Sequence, residues 1–93
     1  MAENIEFEWD EHNRRHLKNH RVSPQEFEQV IANGPFDLEY QTESGEERYK
    51  SIGITDKGRV LVAVWMLREE KVRAITAYPA GRLLERFYWE KRG

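Results

Sequence analysis

The sequence predicts an α+β fold in which an antiparallel β-meander follows two helices and precedes a third. Three observations predict it: two helix-start signals lie in the first third of the chain, four strand-like runs with short turns follow, and an amphipathic pattern comes last. The chain has 93 residues, so a single domain over residues 1–93 is expected. A domain of this size buries only about 60–65% of its unfolded surface, so we expect a thin core.

A short strand and a polar helix are predicted first. Apolar and acidic residues alternate over 5–9, which is the period of a half-buried strand, and Asp10 then predicts a helix N-cap. The helix that follows, to about His20, contains one aliphatic residue, Leu17. Because a helix this polar cannot be held by its own packing, we expect it at the edge of the fold.

The second helix is the most clearly delimited element. Residues 23–26 read Ser-Pro-Gln-Glu, a capping box with proline at the first helical position. The helix is predicted to end at residues 33–35, where Gly34 can take the left-handed conformation and Pro35 bars continuation.

Four strands with short connections are predicted next: Phe36–Tyr40, Arg48–Thr55, Val60–Leu67 and Val72–Ala77. Residues 56–58 form a hairpin loop with glycine last. Pro79 is predicted to begin the last helix, with an apolar stripe of Leu83, Leu84, Phe87 and Tyr88. No capping side chain precedes Pro79, so the helix start beside Tyr78 is expected to attract an anion or simply water.

The net charge of −2 hides two opposite charge runs. Residues 12–21 contain four cations and no acid: Arg14, Arg15, Lys18 and Arg21. Residues 37–47 contain five acids and no base: Asp37, Glu39, Glu43, Glu46 and Glu47. Each run is either a solvated face or half of a charge separation that holds a polyanion on one side and repels it on the other.

Composition argues against several classes of protein. The chain contains no cysteine, which removes disulfide and thiolate chemistry. No apolar run approaches the roughly 20 residues that a membrane helix needs, and the acidic segment 1–6 is unlike a signal peptide. We therefore expect a soluble cytoplasmic protein with no membrane partner.

Short segments in a fixed order carry a family resemblance over nearly the whole chain. They are Phe7-Glu8-Trp9-Asp10, the K-x-H-x-V-S pattern of residues 18–23, Glu47-Arg48 followed by Gly53, Arg73-Ala74-Ile75-Thr76-Ala77, and Glu85-x-x-Tyr88. This ordered set resembles the BrnT family of ribonuclease toxins from bacterial type II toxin–antitoxin pairs. Two positions depart from the family pattern: Tyr78 stands where its strand motif ends in arginine, and His12 and His16 replace its usual lysine and asparagine.

The resemblance implies a RelE-like fold, RNA cleavage that halts translation, and neutralisation by a ribbon-helix-helix antitoxin of the BrnA kind. Metal-free RNA cleavage needs a base, cations that stabilise the phosphorane, and an acid. Residue type and family match together select the candidate catalytic residues His20, Glu47, Arg48, Arg73, Tyr78, Glu85 and Tyr88. The basic first helix, with Arg14, Arg15, Lys18 and Arg21, is expected to track the RNA backbone.

Each candidate has a purely structural alternative. Arg48 and Arg73 could form surface salt bridges with acids such as Glu47, and His20 could close the first helix. Glu85 could pair with Arg82 or Arg86, and Tyr88 could belong to the core. His12, His16 and His20 have helical i, i+4, i+8 spacing, but a tetrahedral site needs further ligands, so we expect no metal and no cofactor.

The predicted function is that of a metal-independent endoribonuclease toxin. A non-catalytic module that keeps the antitoxin-binding fold is the alternative, and Tyr78 in place of arginine favours it. A nucleic-acid-binding regulator without a partner is a third, weaker interpretation.

Overall fold

A computed structural model, which describes residues 5–93, has three helices and a five-stranded sheet. The helices are α1 (Glu11–Asn19), α2 (Pro24–Ala32) and α3 (Arg82–Arg92). The strands are β1 (Phe7–Glu8), β2 (Phe36–Glu43), β3 (Glu46–Ile54), β4 (Val60–Arg68) and β5 (Lys71–Pro79). The α+β class is confirmed, and the elements follow one another in the predicted order.

The sheet is mixed, with strand order β1-β5-β4-β3-β2. Neighbours from β2 to β5 run antiparallel, whereas β1 runs parallel to β5 through the pairs Phe7–Val72 and Glu8–Arg73. The predicted meander covered only the four strands after α2, so the pairing of β1 was not predicted. Strand direction there depends on where two helices return the chain, and alternation along a single strand carries no information about that.

Local capping starts the first two helices where the sequence predicts. The Asp10 side chain accepts a hydrogen bond from the Asn13 backbone N–H, and the Asn13 side chain accepts one from the Asp10 N–H, both at 2.9 Å. Ser23 and Glu26 form the same reciprocal pair at the start of α2. Gly34, after α2, has the predicted positive φ of 75°. Each capping box satisfies backbone donors that the helix itself leaves unpaired.

The last helix begins later than predicted, at Arg82, after an N-cap Gly81 whose side chain cannot cap it. Pro79 instead closes β5 opposite Leu61, and the next N–H, of Ala80, donates to the Val60 carbonyl at 3.0 Å. Proline suits a strand end as well as a first helical turn, since a missing N–H is tolerated at both. Tyr78 consequently lies within a strand and not at a helix N-terminus, so the anion site expected in front of Pro79 is not formed.

Helices α1 and α2 cover one face of the sheet, hereafter the covered face. Leu17, Phe27 and Val30 from these helices are fully buried with Leu61 of β4. A side chain at Gly53 would place its Cβ 2.9 Å from Cγ1 of Val30, so α2 packs directly on the β3 backbone. The polar α1 is thus held by the sheet through Leu17, as its composition requires.

Helix α3 packs on the opposite face, hereafter the open face. Its buried Tyr88 clusters with Ile52 and Val62, and its ring lies 5.6 Å from that of Phe36. The rest of the predicted apolar stripe is largely exposed, with Leu83 at 77%. The part of the open face beyond the Tyr88 cluster is therefore free of helix, and the candidate site lies there.

Within residues 5–93, no helix combines the length and the apolar character that crossing a membrane requires.

Candidate nucleic-acid interface

Three cations of two strands lie on the helix-free part of the open face, and we call Arg48, Lys50 and Arg73 the cationic sheet face. Arg48 of β3 and Arg73 of β5 lie opposite Met66 of β4 from either side. Lys50 lies one row further along, opposite Val64. Residues directly opposite each other in antiparallel strands point to the same face. The register therefore aligns these side chains although β4 separates their strands.

Of these three cations, Arg48 forms the weakest ion pair. Its side chain is 43% exposed, and its nearest carboxylate partner, Glu46, is 4.0 Å away. Its Nε is buried without a hydrogen-bond partner among the described residues. Arg48 and Lys50 line a shallow depression of about 230 Å³ whose floor includes Val64. A planar guanidinium with unused donors beside such a depression is suited to bind a phosphate.

Lys50 was not among the residues selected from the sequence. Its ammonium lies 2.8 Å from the Glu39 carboxylate of β2. This contact, together with the nearby Tyr78 phenol, raises the pKa of Lys50 above its ordinary value. The charge is thus retained throughout the neutral range. Alternation with Arg48 along β3 was the signal that could have found it, because residues two apart in a strand share a face.

Arg73 is engaged by carboxylates and only 15% exposed. Its guanidinium donates to Glu8 of β1 at 3.3 Å and also to Asp10, the N-cap of α1. The Asn13 backbone hydrogen bond, followed by the Arg73 contact, lowers the pKa of Asp10. Arg73 thereby ties β5 to both β1 and the start of α1. Arg73 therefore forms salt bridges, which was its structural alternative, but its partners are Glu8 and Asp10 and not Glu47.

His20 and Tyr78 come together at the edge of β5. His20 is the C-cap residue of α1, it is exposed, and its ring lies 6.0 Å from the Tyr78 ring. Tyr78 packs on the Ile52 cluster of the open face and is partly buried. The phenol thus neighbours both an imidazole and the Lys50 ammonium, an arrangement with groups for proton transfer and for charge stabilisation.

The other three candidates lie elsewhere. Glu47 alternates with Arg48 and so points to the covered face, where it accepts a hydrogen bond from the Tyr49 hydroxyl at 3.2 Å. Glu85 is exposed on α3 and accepts one from the Trp89 indole at 3.4 Å, in place of a pair with Arg82 or Arg86. Tyr88 is 2% exposed and so belongs to the core, which was the structural alternative for this residue.

A second basic surface consists of Arg14 and Lys18 of α1 together with Arg21, which follows the C-cap of that helix; we call these three residues the helix cation stripe. These three side chains line one exposed hollow beside Val22. Arg15 borders a neighbouring hollow with Arg14 and Lys18, and it forms an i, i+4 pair with Glu11 at 2.9 Å. A group of exposed cations on and just after one helix is suited to contact a polyanion backbone.

The helical histidines do not assemble a wider cluster. The His12 and His16 rings lie 4.6 Å apart on α1. Over residues 5–93, no group of three or more histidine, cysteine or acidic side chains is arranged to hold a metal ion.

Comparison with curated proteins finds no match. A family model does match: that of the ribonuclease toxin BrnT of type II toxin–antitoxin systems, over residues 9–82. The matched segment begins before α1, ends at the first residue of α3, and includes the cationic sheet face, the helix cation stripe, His20 and Tyr78. Because this match covers most of the chain and includes the resembling segments at 18–23, 47–53 and 73–77, the protein belongs to the BrnT family of ribonuclease toxins.

Proposed function

We propose that this protein is an endoribonuclease toxin that cleaves RNA without a metal ion and thereby inhibits translation. We further propose that residues 1–93 form a single domain of RelE-like architecture. One observation carries the proposal: in a member of a ribonuclease toxin family, Arg48 and Lys50 line an open depression on the sheet face that also bears Tyr78. Cations, a phenol and a nearby imidazole are the groups that metal-free RNA cleavage uses.

In the proposed reaction the RNA 2′-oxygen attacks the adjacent phosphorus, and the bond from phosphorus to the 5′-oxygen breaks. His20 takes the proton of the 2′-hydroxyl, and an acid returns a proton to the leaving oxygen, a role for which Tyr78 is the best-placed candidate. Arg48 and Lys50 stabilise the extra negative charge of the phosphorane. Glu47 and Tyr88 are less favoured for proton transfer because one points to the covered face and the other is buried.

A protein antitoxin is the expected partner, because type II toxins are paired with one. We propose a BrnA-like ribbon-helix-helix protein whose acidic side chains dock against the helix cation stripe. RNA would use the same stripe, so neutralisation would be competitive and would weaken as salt rises.

Expression of the chain in bacteria tests the proposal. We expect slower growth and degraded RNA with the native sequence, and normal growth with an Arg48→Ala variant at the same soluble level. Lys57→Ala is the matched control, since Lys57 is an exposed cation in the β3–β4 turn. Equal growth arrest by the Arg48→Ala variant would contradict the assignment of Arg48 to the phosphate.

A second candidate function follows from Tyr78. If the family's arginine at this position contacts the reacting phosphate, its absence favours a non-catalytic module that keeps the antitoxin-binding fold. Normal growth and intact RNA at high soluble expression, together with retained antitoxin binding, would establish that alternative.

A further inference from the structure

Three aromatic side chains, Tyr40, Tyr49 and Trp65, form an aromatic ladder at a corner of the covered face that α1 and α2 do not cover. The Tyr40 and Tyr49 rings lie 5.1 Å apart, and the Tyr49 and Trp65 rings stack at 4.3 Å with an interplanar angle of 15°. Tyr40 is 54% exposed, and Leu67, in the next row of β4, is 41% exposed. An exposed apolar patch with polar surroundings is typical of a protein-binding surface.

Carboxylates surround this ladder. The Tyr49 hydroxyl donates to Glu47 at 3.2 Å, and Asp37 accepts from Ser51, which in turn accepts from the Trp65 indole. Burial, followed by the neighbouring Glu47, raises the pKa of Tyr49. We call Asp37, Tyr40, Glu47, Tyr49 and Trp65 the acidic–aromatic corner. Carboxylates beside open aromatic rings attract a cation and repel RNA.

The two sides of the β2–β3 hairpin differ in charge: the covered side carries Asp37 and Glu47 without a cation, whereas on the open side Arg48 and Lys50 lie beside acids. Glu47 and Tyr49 alternate with Arg48 and Lys50 along β3, so the acidic–aromatic corner lies directly behind the cationic sheet face. Tyr49 also borders the depression at Arg48, so the corner and the depression adjoin across β3. They differ in their charged groups, since Asp37 and Glu47 point to the corner while Arg48 and Lys50 point to the depression.

Strand β2 also offers backbone groups for pairing. It is the last strand of the sheet over residues 5–93, so its outer N–H and C=O groups face away from β3. An extended peptide can add to such an edge as a further strand. A second copy of this chain is a poor occupant, since β2 carries acids and no cation, and pairing two β2 edges would bring acids together.

We propose that the β2 edge and the acidic–aromatic corner bind an extended partner segment that carries arginine or lysine at alternate positions. Its backbone pairs with β2, and its cations lie over Tyr40 and Tyr49 beside Glu47 and Asp37. Naming the partner rests on the proposed function: the antitoxin is the protein expected to supply this segment. Its basic segment would bind here while an acidic segment contacts the helix cation stripe, so one antitoxin would hold two surfaces.

A titration of the isotope-labelled full chain with a synthetic peptide tests this. The peptide has about nine residues with arginine and threonine alternating, and a second peptide has glutamate in place of arginine. We expect the arginine peptide, but not the glutamate peptide, to change the NMR chemical shifts of the β2 backbone amides and of the Trp65 indole N–H. The Tyr40→Ala/Asp37→Asn variant, which keeps an acceptor for Ser51, is expected to weaken binding about 10-fold.

The matched control is Leu83→Ala/Glu90→Gln, which removes an exposed apolar residue and an acid from α3 and is expected to bind as the native chain does. Equal binding of the glutamate peptide, undiminished binding by the corner variant, or shifts confined to Lys50 and Val64 would overturn the inference. Absence of binding at low salt would overturn it as well. The titration does not involve RNA, so failure of the nuclease proposal would be seen separately, as loss of cleavage with peptide binding intact.

Discussion

Tyr78 occupies the position at which the family pattern has arginine, and it neighbours both His20 and Lys50. The Tyr78 ring packs on the open-face core, and a change to phenylalanine keeps that ring while it removes the hydroxyl. We expect Tyr78→Phe to keep the fold and to lower RNA cleavage about 10²-fold if the hydroxyl serves as the acid. Unchanged cleavage rates in the Tyr78→Phe protein would remove Tyr78 from the chemistry, whereas Tyr78→Arg is expected to raise the rate.

Arg73 shows how one side chain can join several elements. Its guanidinium holds Glu8 and Asp10 while being only 15% exposed. Arg73→Ala would leave both carboxylates without their cation, so we expect a lower Tm by about 4–8 °C. Thermal unfolding measures this, with Arg68→Ala, an exposed cation at the end of β4, as the control. A variant with native Tm and no RNA cleavage would instead identify Arg73 as a phosphate ligand.

At the scale of elements, the two capping boxes make stability dependent on pH. Burial alone would raise the pKa of Glu26, but hydrogen bonds from Ser23 and the Arg59 guanidinium outweigh it and lower the pKa below 4.5. The Asn13 backbone and Arg73 likewise lower the pKa of Asp10 below 3.8. A lowered folded-state pKa contributes stability that is present above the ordinary value and is lost as pH falls through the folded value.

We therefore expect the free energy of unfolding to fall as pH drops below about 4.5, because both carboxylates lose their stabilising charge there. Glu26→Gln keeps a capping amide but removes the charge that pairs with Arg59. We therefore expect the free energy of unfolding of this variant to depend less on pH below about 4.5. Denaturant unfolding between pH 3 and pH 7 makes the comparison. Parallel curves for the two proteins would show that Glu26 is not a source of the pH dependence.

Elements whose ends depend on local chemistry were predictable from the sequence. The capping residues Asp10 and Ser23 and the positive φ values of Gly34 and Gly58 all follow from neighbours within a few positions. The start of α3 was not predictable, because Pro79 fits a strand end and a helix start equally well. The parallel direction of β1 depends on where α1 and α2 return the chain, and that is a property of the tertiary fold.

The candidate site was predictable only in part, for a related reason. Arg48 could be selected by type and family match, but its alignment with Arg73 across Met66 depends on strand register. That register includes irregularities between Asp37 and Glu39 and between Val64 and Trp65, which no alternation pattern indicates. Lys50 shares a face with Arg48 by alternation along β3, which the sequence could have indicated, but its pairing with Glu39 depends on how β2 and β3 align.

At the scale of the whole molecule, a net charge near zero conceals surfaces of opposite sign. The helix cation stripe and the cationic sheet face are basic, while the acidic–aromatic corner is not. We expect the Arg14→Glu/Lys18→Glu/Arg21→Glu variant to bind both RNA and the antitoxin more weakly, with a shallower salt dependence. Titrations at several salt concentrations measure this. RNA cleavage lost with antitoxin affinity and its salt dependence unchanged would show that the two ligands do not share the stripe.

The central claim is that the open face of the sheet cleaves RNA, and the cleavage rate of purified protein in the presence of a chelator tests it most directly. The comparison is between the native chain, Arg48→Ala/Lys50→Ala, and the control Lys57→Ala/Lys91→Ala, which removes exposed cations from the β3–β4 turn and from the end of α3. We predict cleavage by the native chain and the control, and a loss of about 100-fold or more in the first variant, because cations that stabilise the phosphorane are removed. Native-like cleavage by a folded Arg48→Ala/Lys50→Ala protein would contradict the account.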